Sequence, residues 1–200
     1  MALDEVLLAQ AAEPLLRIYQ WREPAVSFGY FGKWAVVATQ WPGRELVRRW
    51  TGGGVVSHGD DLTYTLVVPR AHPFSQIPAL DSYRAIHESL APLLHSSGES
   101  AQVTDWNSEK ISDGCFENAS RFDVLLGSVK VAGAAQRRTK AGLLHQGSIQ
   151  SVNLSLSLAG RLPRAFAAES RARELTASEV SSAEHLAASR YATREWLHRW

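Results

Sequence analysis

Phe122 to Gln150 reads FDVLLGSVKVAGAAQRRTKAGLLHQGSIQ, and its pattern decides the fold class. Three strand-sized runs, Phe122 to Leu126, Val129 to Arg138 and Leu143 to Val152, are separated by Gly127-Ser128 and Ala141-Gly142, which suit tight hairpin turns. Upstream, Leu62 to Val68 is rich in β-formers and stops at Pro69; Leu15 to Trp21, Leu46 to Trp50 and Ala101 to Thr104 read as further strands. Asp4 to Ala12 is a short helix with Val6, Leu7 and Leu8 near its buried side. Asp81 to His95 is a longer one, with Tyr83, Ile86, Leu90 and Leu94 at helical spacing and Pro92 weakening its last turn. Beyond Ser151 the chain turns alanine-rich and helical, with Pro163 as a break and Ser182 to Trp200 as a final helix. Ser27 to Gly32 reads as a glycine-punctuated aromatic loop, Lys33 to Gln40 suits helix or strand, and Asp105 to Ser120 is a long loop of the kind that often carries function. Strands interleaved with helices and joined by hairpin turns indicate an α+β domain.

Composition narrows the function classes. With 21 Lys+Arg against 20 Asp+Glu in 200 residues, the formal charge of +1 argues against a whole-protein electrostatic grip on nucleic acid. No apolar run approaches the roughly 20 residues that span a bilayer, and Asp4 and Glu5 stand where a secretory signal carries positive charge. The expectation is a cytoplasmic protein without a membrane partner. The single Cys115 cannot form an internal disulfide, and the seven histidines are scattered without ligand spacing, so no metal site is expected. There is no internal repeat and no low-complexity linker, which favours one domain over residues 1–200.

Three segments can carry chemistry. The first is Arg48-Arg49-Trp50-Thr51-Gly52-Gly53-Gly54-Val55-Val56-Ser57-His58, where three glycines let backbone approach a ligand and two arginines add planar donors for an anion; a plain surface turn is the competing reading. The second is Lys130, alone in an apolar strand, which either faces solvent or holds a substrate oxygen. Strict alternation puts it on one face with Ala132, Ala134 and Gln136. The third is Cys115 in Asp113-Gly114-Cys115-Phe116-Glu117, either a small buried hydrophobe or a loop nucleophile in need of a nearby cation, for which Lys130 is the candidate.

Together these segments resemble the lipoate–protein ligase and octanoyltransferase family, related in fold to biotin–protein ligases. The matching stretches are Arg48 to Gly54 with His58 and Asp61-Leu62-Thr63-Tyr64, then Lys130-Val131-Ala132-Gly133-Ala134-Ala135-Gln136-Arg137-Arg138, and Leu144-His145-Gln146-Gly147-Ser148-Ile149. Leu16 to Trp21 and Ser27-Phe28-Gly29-Tyr30 fit as well. The resemblance implies a mixed, largely antiparallel sheet flanked by helices, a single catalytic domain over residues 1–200 that is helical from about residue 153, and an acyl pocket beside the glycine turn. It implies Lys130 and Cys115 as catalytic residues. The substrate-binding set is Arg48, Arg49, Thr51, Gly52, Gly53, Gly54, His58, Gly133, Ala134, Ala135, Gln136, His145 and Gly147.

The family runs two reactions, which attach octanoyl or lipoyl groups to a lysine of lipoyl domains in the glycine cleavage H protein or the 2-oxoacid dehydrogenases. Octanoyltransferases take the acyl group from acyl carrier protein through a cysteine thioester and need no cofactor; ligases use lipoate, ATP and Mg2+ and pass through lipoyl-adenylate. Gly114-Cys115-Phe116-Glu117-Asn118-Ala119-Ser120 resembles the nucleophile loop of the transferase branch, and a chain ending at Trp200 leaves no room for the accessory domain many ligases carry. The transferase is the favoured expectation. An ATP-dependent ligase is the alternative, and a non-catalytic acyl-binding protein comes third.

Overall fold

Leu62–Pro69, LTYTLVVP, mixes apolar and hydroxyl-bearing side chains, yet every one of its residues is buried. A strand covered on both faces needs a layer above and a layer below, and that requirement organises the molecule. The computed structural model describes residues 1–96, 99–107, 116, 118–151 and 156–200. In chain order the elements are α1 (Ala2–Gln10), β1 (Leu15–Tyr19), β2 (Ala25–Phe28), α2 (Trp34–Gln40), β3 (Glu45–Arg48), β4 (Val55–His58) and β5 (Leu62–Pro69). Then follow α3 (Ala79–Leu90), β6 (His95–Ser96), β7 (Glu99–Ser100), β8 (Gln102–Val103), β9 (Val124–Leu126), β10 (Val129–Thr139), β11 (Gly142–Ile149), α4 (Leu156–Phe166), α5 (Ala177–Leu186) and α6 (Arg194–Leu197).

The larger sheet runs β1-β5-β11-β10-β9-β8, every neighbouring pair antiparallel. A smaller sheet, β3-β2-β4, pairs β2 parallel with β3 and antiparallel with β4. This is the α+β, mixed and largely antiparallel arrangement expected. Because Tyr64 pairs with Gly147, and Gly147 with Ala134, alternate residues of β5, β11 and β10 share a face. Leu62, Tyr64, Leu66, Ala132 and Ile149 pack on that face against Ile86 and Leu90 of α3 and Leu158 and Leu162 of α4. The other face meets α1 through Val67 and Leu144 against Leu7 and Leu8. Further along it, Thr63, Gln146 and Ser148 present polar groups to a cavity. Each buried leucine contributes about 2 kcal/mol.

Several local expectations are corrected. Ser27 does not open a loop: Ala25–Phe28 is the buried central strand of the smaller sheet. Pro24 and Gly29 bracket only four residues there, too few for a period to show. Lys33 to Gln40 resolves as helix α2, with Val37 its buried residue. Pro163 does not break the C-terminal segment but lies inside α4, where burial of Leu158 and Leu162 outweighs the lost amide bond, a cost of about 3 kcal/mol. The final helix is not continuous. A capping box of Thr176 and Glu179 starts α5 early, Ala187–Tyr191 widens to π-helix, and the Thr193 hydroxyl caps α6 anew. Helix α3 ends at Leu90, where Pro92 forces a 3-10 turn.

Candidate active site

Lys130 is the residue on which local geometry acts most. Strict alternation along β10 would send it toward Ala132 and the helical face, but the pairing of β10 with β9 shifts register between Lys130 and Ala132. Such a bulge re-aims a side chain. The lysine instead lies over Gly133, where a Cβ would stand 2.5 Å from the Lys130 Cε. The alternation expectation is corrected accordingly, and a side chain at 133 would push the lysine from this position.

The ammonium is buried, 8% exposed, and pairs at 2.7 Å with Asp123, itself 1% exposed. Asp123 ties three elements together. Its Oδ2 also accepts the Ser120 amide at 2.6 Å, at the end of the long loop, and its Oδ1 accepts the Tyr83 hydroxyl from α3. Burial first, and the Asp123 charge second, push the Tyr83 phenol well above its ordinary pKa, so it remains a donor. Tyr83 in turn accepts the Ala134 amide at 3.0 Å, satisfying β10 beyond the end of its pairing with β9. Lys130 Nζ donates to the Asn118 carbonyl at 3.3 Å and lies 5.2 Å from the Phe116 ring centroid. Cys115 itself lies outside the described residues, but its sequence neighbour Phe116 and nearby Asn118 meet the lysine.

These groups border a cavity of about 760 Å³ whose lining is mostly apolar. Volumes of this order suit small-molecule ligands. Its wall includes ten of the expected residues: Lys130, Arg49, Gly53, Gly54, His58, Gly133, Ala134, Ala135, Gln136 and Gly147. At Gly147 the missing side chain is what admits the Tyr64 ring. The glycine turn is held by Arg49, whose Nη2 donates to the carbonyls of Gly52 and Gly54 at 3.1 and 2.8 Å. Gly53 has φ +85°, a conformation that favours glycine. Behind the turn, a Cβ at Gly29 would collide with the Gly53 carbonyl oxygen.

Four expected residues stand elsewhere. Arg48 is 1% exposed and donates to the carbonyls of Tyr30, Gly32, Trp196 and Leu197, clamping α6 to the loop after β2. Its replacement by methionine is expected to cost about 3 kcal/mol of stability, measurable by urea unfolding, because several buried carbonyls lose their donor. Thr51 is buried and donates to Gln146 Oε1 at 2.8 Å. Gly52 contributes its carbonyl to Arg49 rather than surface to the cavity. His145 is fully buried between Tyr64 and Gln136, and burial, with His87 nearby, holds its pKa well below the ordinary value, so it stays neutral.

Residues around His58, on the wall and behind it, had no role assigned from sequence. Ser27 Oγ lies 2.6 Å from His58 Nε2, and His58 Nδ1 lies 2.7 Å from Asp61 Oδ2. Trp21 stacks on the His58 ring at 4.2 Å between centroids. Burial alone would raise the Asp61 carboxyl, but hydrogen bonding and attraction to His58, with further bonds from Ser148 and the Gly59 amide, hold it below the usual range. Ser27 and Asp61 both fall within motifs visible in the sequence. Asp123 carries a weaker signal, a lone carboxylate in the apolar run FDVLL.

The sequence profile of the lipoyl protein ligase A/B catalytic domain matches residues 1–194. The chain belongs to this family. Within it, the chain is similar to the octanoyltransferase LipM of Brevibacillus brevis, 32% identical over 205 residues that cover 91% of this chain and 74% of the relative. It is also similar to the octanoyltransferase LipM of Moorella thermoacetica, 33% identical over 161 residues, which cover 74% of this chain and 59% of that relative's length. Among solved structures, the bi-partite lipoate protein ligase of Thermoplasma acidophilum, described with its E2 lipoyl domain, superposes over 100% of this chain and 91% of its own with a TM-score of 0.77. At 22% identity that likeness shows a shared fold. Among the described residues no helix of this lipoyl ligase family member is long and apolar enough to cross a membrane.

Proposed function

We propose that this protein transfers an octanoyl group from acyl carrier protein to a lysine of a lipoyl domain, through a thioester on Cys115. The observation that carries this reading is the buried Lys130 ammonium on the cavity wall, held by Asp123 and met by Phe116 and Asn118, close in sequence to Cys115. The two curated relatives named octanoyltransferase agree with it.

In this reading the Cys115 thiolate attacks the donor thioester carbonyl, and the carrier thiol leaves with a proton, giving octanoyl-Cys115. The Lys130 charge stabilises the thiolate and the tetrahedral oxyanion. The acceptor's neutral amine then attacks, gives up a proton to solvent as the amide forms, and the thiolate is released. Exchange between thioesters is nearly balanced and amide formation is favourable, so no ATP and no cofactor enter. Acceptors are lipoyl domains of the glycine cleavage H protein or of 2-oxoacid dehydrogenases.

The chemistry of the wall weighs against the ATP-dependent alternative. Mg2+ is held through carboxylates, and Asp123 is the one carboxylate among the described wall residues. Both its oxygens are engaged, by Lys130 and the Ser120 amide on one side and Tyr83 on the other. A metal there would have to displace the lysine. The test offers octanoyl–acyl carrier protein in one arm and lipoate with ATP in the other, and weighs the acceptor domain after each. Modification in the first arm alone is expected; modification in the second alone would establish the ligase.

A further inference from the structure

Behind the glycine turn runs a buried hydrogen-bonded chain. Asp61 is an acceptor, and its Oδ2 receives the hydroxyls of Thr63 at 3.0 Å and Ser148 at 2.7 Å, besides facing His58 Nδ1 at 2.7 Å. Asp61 has no hydrogen to give, so His58 Nδ1 donates to it. On the far side of the ring Nε2 meets Ser27 Oγ at 2.6 Å, and Ser27 Oγ accepts Arg49 Nη1 at 2.7 Å. The same guanidinium holds the carbonyls of Gly52 and Gly54. Ser27 is fully buried and Asp61 is 3% exposed, while Arg49, Gly53 and Gly54 line the cavity.

We propose that Ser27 and Asp61 are positioning residues for acyl transfer: acting through His58 and Arg49, they fix the orientation of the Gly52–Gly54 turn against the bound acyl group. The assignment deepens the transferase reading and rests on it. Ser27 does not act as a nucleophile, since its oxygen is enclosed between imidazole and guanidinium. A turn released from Arg49 still binds the donor but holds its carbonyl less accurately, and small misplacements cost rate more than affinity.

The test measures the rate constant for octanoyl-Cys115 formation in Ser27→Ala, Asp61→Asn and the double variant, with thermal unfolding alongside. Ser27 and Asp61 share His58 as the link between them, so breaking either end breaks one device. Each single variant is expected to be about ten-fold slower, with the half-saturating donor concentration unchanged within about two-fold. The double variant is expected to match the slower single variant. Losses that multiply, or rates unchanged despite lowered thermal stability, would overturn the assignment. So would an octanoyl adduct on Ser27 in Cys115→Ala. If Ser27→Ala does not fold, Arg49→Lys combined with Asp61→Asn completes the same cycle with the same expectations. Failure of the unsubstituted protein to form any acyl-enzyme would overturn the transferase reading and this assignment with it; multiplying losses in a protein that does form one overturn the assignment alone.

Discussion

Lys130→Met slows octanoyl transfer by about 10²- to 10⁴-fold, the range expected when a positioned charge and proton-transfer group is removed from a reaction centre. Methionine keeps the length and flexibility that let the side chain lie over Gly133, so packing is nearly preserved while the ammonium is lost. The substitution also strands Asp123, at 1% exposure, without its cation, and breaking a buried pair costs about 3–5 kcal/mol. Loss of activity could then reflect loss of fold. The variant Lys130→Met with Asp123→Asn separates the two, since the neutral amide no longer demands a counter-charge. Thermal unfolding is expected to recover in the double variant while the single-turnover transfer rate stays low. Recovery of both would reduce the lysine to a structural partner of Asp123. Lys130→Arg does not rescue, because the bulkier planar guanidinium cannot occupy the space beside Gly133 that the lysine stem fills.

Cys115→Ala is expected to lower transfer from octanoyl–acyl carrier protein at least as far, by about 10³-fold or more, because it removes the covalent path itself. Thermal unfolding of the variant is measured alongside. Cys115→Ser is expected to be nearly as slow. A serine hydroxyl is scarcely ionised at neutral pH and needs a general base, whereas a thiol is already partly ionised. Rates of acceptor modification under single-turnover conditions distinguish these outcomes. Transfer retained at a tenth of the original rate in Cys115→Ala would point to direct attack of the acceptor lysine on the donor thioester.

The hairpin pattern of Phe122 to Gln150 was legible in the sequence because glycine turns and strand-length runs between them are local signals, and three antiparallel strands stand there. What escaped was non-local. The re-aiming of Lys130 depends on a register shift against β9, which no window along β10 contains. Arg48 and Arg49 are neighbours of one residue type, and only the three-dimensional structure separates a clamp on α6 from a brace of the glycine turn. His145 lies within a motif that resembles the family's binding residues, but its odd-numbered register in β11 puts it on the helical face with Tyr64. Gly147, two residues on and on the same face, borders the cavity, while the Tyr64 ring fills the space its side chain would take. Asp123 was hidden for a simpler reason: a single carboxylate before an apolar strand reads as a strand end, and its three partners come from elsewhere in the chain.

The most direct measurement mixes the protein with octanoyl–acyl carrier protein, quenches in acid within one turnover, and determines the intact mass and then the modified peptide. The account predicts one octanoyl group, on the peptide that contains Cys115, removed by neutral hydroxylamine and discharged to a lipoyl domain on a chase. An unmodified protein that nonetheless delivers octanoate to the acceptor, or a label on any residue other than Cys115, would contradict it.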